Sequence, residues 1–202
     1  MGKIPKSKIN VIKRLYYDKG YNMKDIAEKF DVSYKTVLCF MKSNDLKRRS
    51  FKEANKNSFE HKPLSFKFKI NLKDKDRELL IKAIMIYWCE GSKGFKSNTV
   101  DLANCDPEML KLFILFLRKI CRVDESRIRI YLYCYSNQNI DKNIEYWSNM
   151  LNVPANQFTK PYVRTDFQES KVDKMPHGMI HIRYADKKLL YLIKELIKKY
   201  SK

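Results

Sequence analysis

Arg127-Ile128-Arg129-Ile130-Tyr131-Leu132-Tyr133-Cys134-Tyr135 alternates without a fault: Arg or Tyr at every odd position, Ile, Leu or Cys at every even one. Side chains on a strand point to its two faces in turn. The stretch therefore predicts a strand with one face in a core and the other presenting guanidinium and phenol groups. Two further stretches repeat the design. In Asn98-Thr99-Val100-Asp101-Leu102 apolar residues again alternate with polar ones, and in Ile180-His181-Ile182-Arg183-Tyr184 the side chains of His181 and Arg183 oppose Ile180 and Ile182. Such strands make an antiparallel sheet whose apolar face needs cover. Helical periodicity at Pro107–Cys121, Lys142–Leu151 and Asp186–Lys199 supplies it on one face. The predicted class is α+β.

The helix ahead of these strands, Arg77 to Glu90, is apolar nearly all round: Leu79, Leu80, Ile81, Ala83, Ile84, Met85, Ile86, Tyr87 and Trp88. A helix apolar on more than one face is expected to be buried on more than one face. It ends Cys89-Glu90-Gly91-Ser92, which sets a carboxylate at the helix end where the dipole is unfavourable for an anion; a nearby cation would remove the conflict.

The N-terminal quarter reads as three short helices. Ser7 to Tyr17 carries Ile9, Ile12, Leu15 and Tyr16 on one face, and Gly20 ends it with the left-handed residue that helix C-termini favour. Asn22 can cap Met23–Phe30, Asp31-Val32 turns the chain, and Ser33 can cap a third helix from Tyr34 to about Ser43. The organisation expected is a three-helix domain over 1–50, a basic linker over 51–76, and an α+β domain over 77–202. Within the linker, Phe66 to Leu72 alternates and predicts one more strand; a solvated tether and a phosphate-tracking segment are both open for the rest.

The whole chain of 202 residues carries a formal net charge of +19, with +11 on residues 1–76 and +8 on 77–202. With 44% hydrophobic and 13% aromatic residues it is no disordered basic tail. No apolar run reaches the roughly 18–20 residues that cross a bilayer, and no apolar stretch follows the basic N-terminus as in a signal peptide. A polyanionic partner, a cytoplasmic or nucleoid-associated location, and no membrane or small-molecule substrate are the expectations. Cys39, Cys89, Cys105, Cys121 and Cys134 form no C-x-x-C pair and are expected to be buried thiols, not metal ligands. His177 and His181 sit four apart, but on a strand pattern that breaks the helical spacing of a metal pair. No nucleophilic triad, repeat or low-complexity tract is present.

Asp25-Ile26-Ala27-Glu28-Lys29-Phe30-Asp31-Val32-Ser33-Tyr34-Lys35-Thr36-Val37 resembles the helix-turn-helix of resolvase and repressor DNA-binding domains, with Asp31 where the turn usually has Gly. The resemblance implies that Ser33, Tyr34, Lys35 and Thr36 meet DNA, with Lys42, Lys47, Arg48 and Arg49 on phosphates. A small helical domain that binds protein is the other reading.

From Arg77 onward the chain resembles the LAGLIDADG homing-endonuclease family. The nonapeptide falls on Ala83-Ile84-Met85-Ile86-Tyr87-Trp88-Cys89-Glu90-Gly91, and Asn104-Cys105-Asp106-Pro107-Glu108 and Lys160-Pro161-Tyr162 also match in style. The resemblance implies a curved antiparallel sheet straddling duplex DNA. Arg127, Arg129, Tyr131, Tyr133, His181 and Arg183 would lie on its binding face. Two motif helices pack together in that family; one motif per chain implies a homodimer. Glu90 and Gly91 would hold Mg²⁺ or Mn²⁺ beside the scissile phosphate, with Lys93, Lys160 or Lys171 stabilising the developing charge. The function implied is a site-specific, metal-dependent, double-strand DNA endonuclease. Met85 stands where the family has a small residue and Trp88 replaces an acidic one. The added helix-turn-helix and Met85 point to the alternative, a transcription regulator that binds DNA on the same architecture without cutting, while Glu90-Gly91 favours the nuclease. A third reading is an RNA-splicing cofactor, since the family includes intron maturases.

Overall fold

The computed structural model describes residues 3–94, 97–165 and 175–201. It divides into two compact units, Met1–Pro63 and Leu64–Lys202, and the chain as a whole is mixed α+β. Among the described residues no helix is long and apolar enough to cross a membrane.

The first unit is helical. A single turn at Lys6–Lys8 runs into α1 (Ile9–Lys13) and a wider π turn at Arg14–Asp18. Gly20 follows at φ +69°, as the left-handed stop requires. Asn22 then starts α2 (Met23–Lys29) with a reciprocal cap: its side chain accepts from the Lys24 and Asp25 amides, and the Asp25 carboxylate accepts from the Asn22 amide. Asp31 takes φ +49°, so the residue standing where Gly is usual does adopt the left-handed turn. Ser33 caps α3 (Tyr34–Ser43) by accepting from the Thr36 amide at 3.1 Å. Ile12, Leu15, Tyr16, Ile26, Ala27, Val37, Phe40, Met41 and Leu46 close one small core. Because Asn22 satisfies two otherwise orphaned amides, Asn22→Ala should cost about 1 kcal/mol, read as a lower urea midpoint of the full chain.

The expected linker is two different things. Residues 51–61 form α4 (Phe51–His61), begun by a Ser50–Glu53 capping box. The helix buries no residue, so it has no apolar stripe to betray it; a cap, a Lys56–Glu60 pair and a hydrogen bond from Asn57 to the Gly20 carbonyl (2.6 Å) hold it. Residues 64–72 belong to the second unit but form no strand there. Phe66 makes one bridge to Val123, and the Lys67 and Lys69 amides donate to the Cys121 and Ile120 carbonyls, while Ile70 is exposed.

The second unit is one sheet with helices over its apolar face. In chain order come α5 (Asp74–Glu90), β1 (Val100–Asn104), α6 (Pro107–Lys119), β2 (Ile128–Tyr135), α7 (Ile140–Leu151), β3 (Tyr162–Arg164), β4 (Met179–Tyr184) and α8 (Lys187–Tyr200). The order across the sheet is β1-β4-β2-β3. β1 and β2 flank β4 antiparallel, but β3 joins β2 in parallel, so the sheet is mixed and not the antiparallel one expected. Ile128, Ile130, Leu132, Ile180, Ile182, Val100 and Leu102 point into a core shared with Phe113 and Leu117 of α6, Trp147 of α7 and Leu190 and Ile193 of α8. The period-2 pattern of β2 is thus a burial pattern, and it leaves Arg129, Tyr131 and Tyr133 on the opposite face.

Candidate nucleic-acid interface

α5 presents two different faces. Leu80, Ala83, Ile84 and Tyr87 are buried, with the Tyr87 ring stacked on Phe113 at 5.6 Å. The other face is open, against the expectation that it would be covered: Ile81 (37% exposed), Met85 (37%) and Trp88 (42%) line it at helical spacing, with exposed Cys89 beside them. Among the described residues of the second unit no further layer covers this stripe.

The foot of α5 is tightly built. An added Cβ on Gly91 would stand 2.5 Å from the Tyr87 carbonyl oxygen and 2.6 Å from its ring, so the close approach excludes any side chain; φ is an ordinary −74°. Gly91 bridges Leu102, and the Ser92 amide donates to the Asp101 carbonyl, which fastens the helix end to β1. The Tyr87 hydroxyl reinforces the joint by donating to the Ser92 carbonyl. Its phenol pKa is pushed up to about 12, by burial first and the Asp101 charge in addition, so the hydroxyl stays a donor at any neutral pH. Lys93 donates to the Trp88 carbonyl in the last turn of α5. That is the cation the helix dipole calls for at this end. Glu90 sits exposed at this foot, and among the described residues it has no hydrogen bond or ion pair.

On the polar face of the sheet the hub is Asp101, which the sequence reading passed over as one polar residue of a strand. Its Oδ1 meets His181 Nδ1 at 2.8 Å and its Oδ2 accepts from Arg183 Nε at 2.7 Å. Burial raises its pKa, but the hydrogen bond and charge of His181 and the charge of Arg183 outweigh burial and hold it below the usual carboxylate range. With the folded pKa below the unfolded one, the stability this carboxylate contributes is complete above the unfolded value. It is lost as pH falls through the folded value. Unfolding midpoints of the wild type and Asp101→Asn should therefore converge as pH drops below the carboxylate range and separate at neutral pH.

From this hub the other groups spread across the sheet. The Arg183 guanidinium lies over the Tyr131 ring at 4.2 Å; His181 packs on Tyr133 at 4.7 Å, and Tyr133 on Tyr162 at 5.2 Å. Arg129 stands directly across from Arg183. A concavity of about 450 Å³ opens here, lined by Ser97, Thr99, Arg127, Arg129, Arg183 and Tyr131 among others. Arg127 donates to the Ala185 carbonyl and lies over the Tyr184 ring.

The remaining expected site residues fall less closely together. Lys160 precedes β3, at the sheet edge opposite the one that Gly91 adjoins. Gly91, bridged outside β1, lies four strand spacings, about 19 Å, from β3, too far for Lys160 to serve the Glu90 of its own chain. Lys171 lies outside the described residues. Tyr34, Lys35, Lys42, Lys47 and Arg48 are exposed in the first unit. Ser33 and Thr36 are half-buried and hydrogen-bonded to each other. Arg49 is not a free phosphate ligand: it donates to the Tyr16 and Tyr21 carbonyls and lies over the Tyr16 ring at 4.1 Å. Of the cysteines, Cys121 and Cys134 are buried as expected, whereas Cys39, Cys89 and Cys105 are exposed. His177 stacks on Tyr146 away from His181. Among the described residues no group of three or more His, Cys, Asp or Glu could hold a metal ion.

No family model matches the chain, and no curated protein or solved structure matches it either.

Proposed function

We propose that the protein is a homodimeric, divalent-metal-dependent endonuclease that cuts duplex DNA at a defined, roughly palindromic site. The observation that carries this reading is the open stripe of α5, Ile81–Met85–Trp88, which leads to Glu90, whose carboxylate has no partner among the described residues, at a helix end fastened to β1 of the sheet. A second copy would cover the stripe about a two-fold axis and bring a second Glu90 to the same neighbourhood. The donor set fits Mg²⁺ or Mn²⁺. Such ions take one or two carboxylates together with phosphate oxygens and water, so one Glu90 per chain would be a sufficient protein contribution. Glu90 would hold the ion, and the chemistry it would supply is polarisation of the phosphodiester and a lower pKa for the attacking water. Gly91 and the Tyr87 hydroxyl fix where Glu90 stands, Lys93 neutralises the helix end behind it, and the sheet face holds the duplex. The helix-turn-helix of the first unit, with Tyr34 and Lys35 at the start of α3, extends the footprint by reading a major groove.

The test is selection from a randomised duplex library in Mg²⁺, sequencing bound and cleaved molecules separately. Recovery of an inverted repeat in both pools supports the reading. Each phosphate contact should also lower the binding constant by about 0.9 log unit per log unit of salt; a flat salt dependence would count against nucleic acid altogether. Met85 favours a second reading, a regulator that binds the same DNA without cutting. Its thioether, in the middle of the open stripe, would hold two α5 helices further apart than small residues would, and the two Glu90 side chains with them.

A further inference from the structure

Arg129 and Arg183 face each other across β2 and β4, with Arg127 two residues before Arg129 in the same concavity and Asp101 the carboxylate among them. Like charges directly opposite on neighbouring strands destabilise a sheet. Asp101 offsets one of the two guanidiniums, and among the described residues Arg129 donates to the carbonyls of Ser126 (2.7 Å) and Ile128 (2.8 Å) and meets no carboxylate. An acceptor-rich ligand would complete the arrangement.

The two guanidiniums are also differently held. Arg183 has its Nε edge tied to Asp101 at 2.7 Å and its face laid on Tyr131, so its terminal Nη edge is presented in one orientation. A phosphate needs charge and tolerates many orientations; a base edge needs a fork aimed in its plane. Guanine O6 and N7 are the acceptor pair that a bidentate arginine matches in the major groove.

We propose that Arg183 and Arg129 read guanines at two adjacent base pairs of each half-site, with Asp101 as the positioning residue for Arg183. This rests on the duplex-DNA reading and adds to it the identity of two bases. Cross-strand neighbours lie about 4.5–5.5 Å apart, and side chains of this length span the 3.4 Å step between successive bases.

The experiment is library selection with the wild type, Arg183→Lys and Arg129→Lys, followed by binding of each to the selected duplex and to single-base variants at several salt concentrations. Wild-type selection should return guanine at two neighbouring positions per half-site. Each Lys variant should lose discrimination at one of them, about tenfold to a hundredfold, and keep it elsewhere. The slope of log affinity against log salt should stay unchanged, since charge is retained and no phosphate contact is lost. Asp101→Asn should weaken discrimination at the Arg183 position alone. Arg129 is exposed and has no carboxylate partner among the described residues, so its variant reports even if changes around Asp101 disturb folding. Uniform loss across all sequences in both Lys variants would make these residues phosphate ligands and overturn the assignment. So would wild-type selection of a site without adjacent guanines. Wild type that binds no duplex in a salt-dependent way would instead defeat the underlying reading.

Discussion

Replacing Trp88 by Glu is expected to leave the chain folded but monomeric, and to abolish double-strand cleavage. Trp88 is 42% exposed in the single chain, and that open part is what a partner would cover. The rest packs on its own chain, so the urea midpoint of the variant is measured beside its mass. In an isologous interface the substitution enters twice, once from each protomer. A Trp at an interface centre contributes about 2–4 kcal/mol, so the pair removes about 4–8 kcal/mol and raises the dimer constant by a thousandfold or more. Light scattering across a concentration series, with and without DNA, reads the result directly. Met85→Lys should act the same way through the same stripe. A dimer that survives both changes would mean that α5 is not the interface.

The second large effect is expected from Glu90→Gln. The change is isosteric, and the carboxylate it removes makes no hydrogen bond or ion pair among the described residues, so folding and duplex binding should be preserved. What it would remove is the hard anionic oxygen proposed for the metal. Metal polarisation of a phosphoryl oxygen is worth several kcal/mol, which corresponds to on the order of a thousandfold in rate. Raising the metal concentration should recover only part of this, because a neutral amide oxygen replaces a charge. Gly91→Ala offers a contrasting control: its Cβ would meet the Tyr87 carbonyl and ring, so it should lower both stability and activity by displacing the foot of α5.

Much of this architecture is legible wherever one face of an element is buried. The alternation in 127–135 located β2 because Ile128, Ile130 and Leu132 face a core, and the capping residues Asn22 and Ser33 located α2 and α3 because each cap is a local interaction. What escaped has no such local signature. β3 is three exposed residues, so neither its existence nor its parallel pairing shows in a hydrophobic pattern. α4 buries nothing, and its cap alone marks it. Phe66–Leu72 alternates, yet its partners are the carbonyls after α6 and not a sheet edge.

The site divides along the same line. Glu90 could be singled out because a carboxylate at the end of an apolar helix is anomalous in one dimension. Asp101 could not, because its importance comes from His181 and Arg183 on a strand some eighty residues away. Arg49 shows the converse error: its charge is visible in the sequence, while the carbonyl ends it caps are not.

Whether the phosphodiester is broken separates a nuclease from a regulator, and strand-by-strand product mapping reads it directly. The duplex selected by the wild type is end-labelled on each strand in turn and incubated with protein in Mg²⁺; products are resolved under denaturing conditions. One cut in each strand, placed symmetrically about the centre of the inverted repeat and lost with Glu90→Gln, is the result predicted. An intact duplex, under conditions where the wild type is fully bound, would contradict the nuclease and leave a DNA-binding regulator in its place.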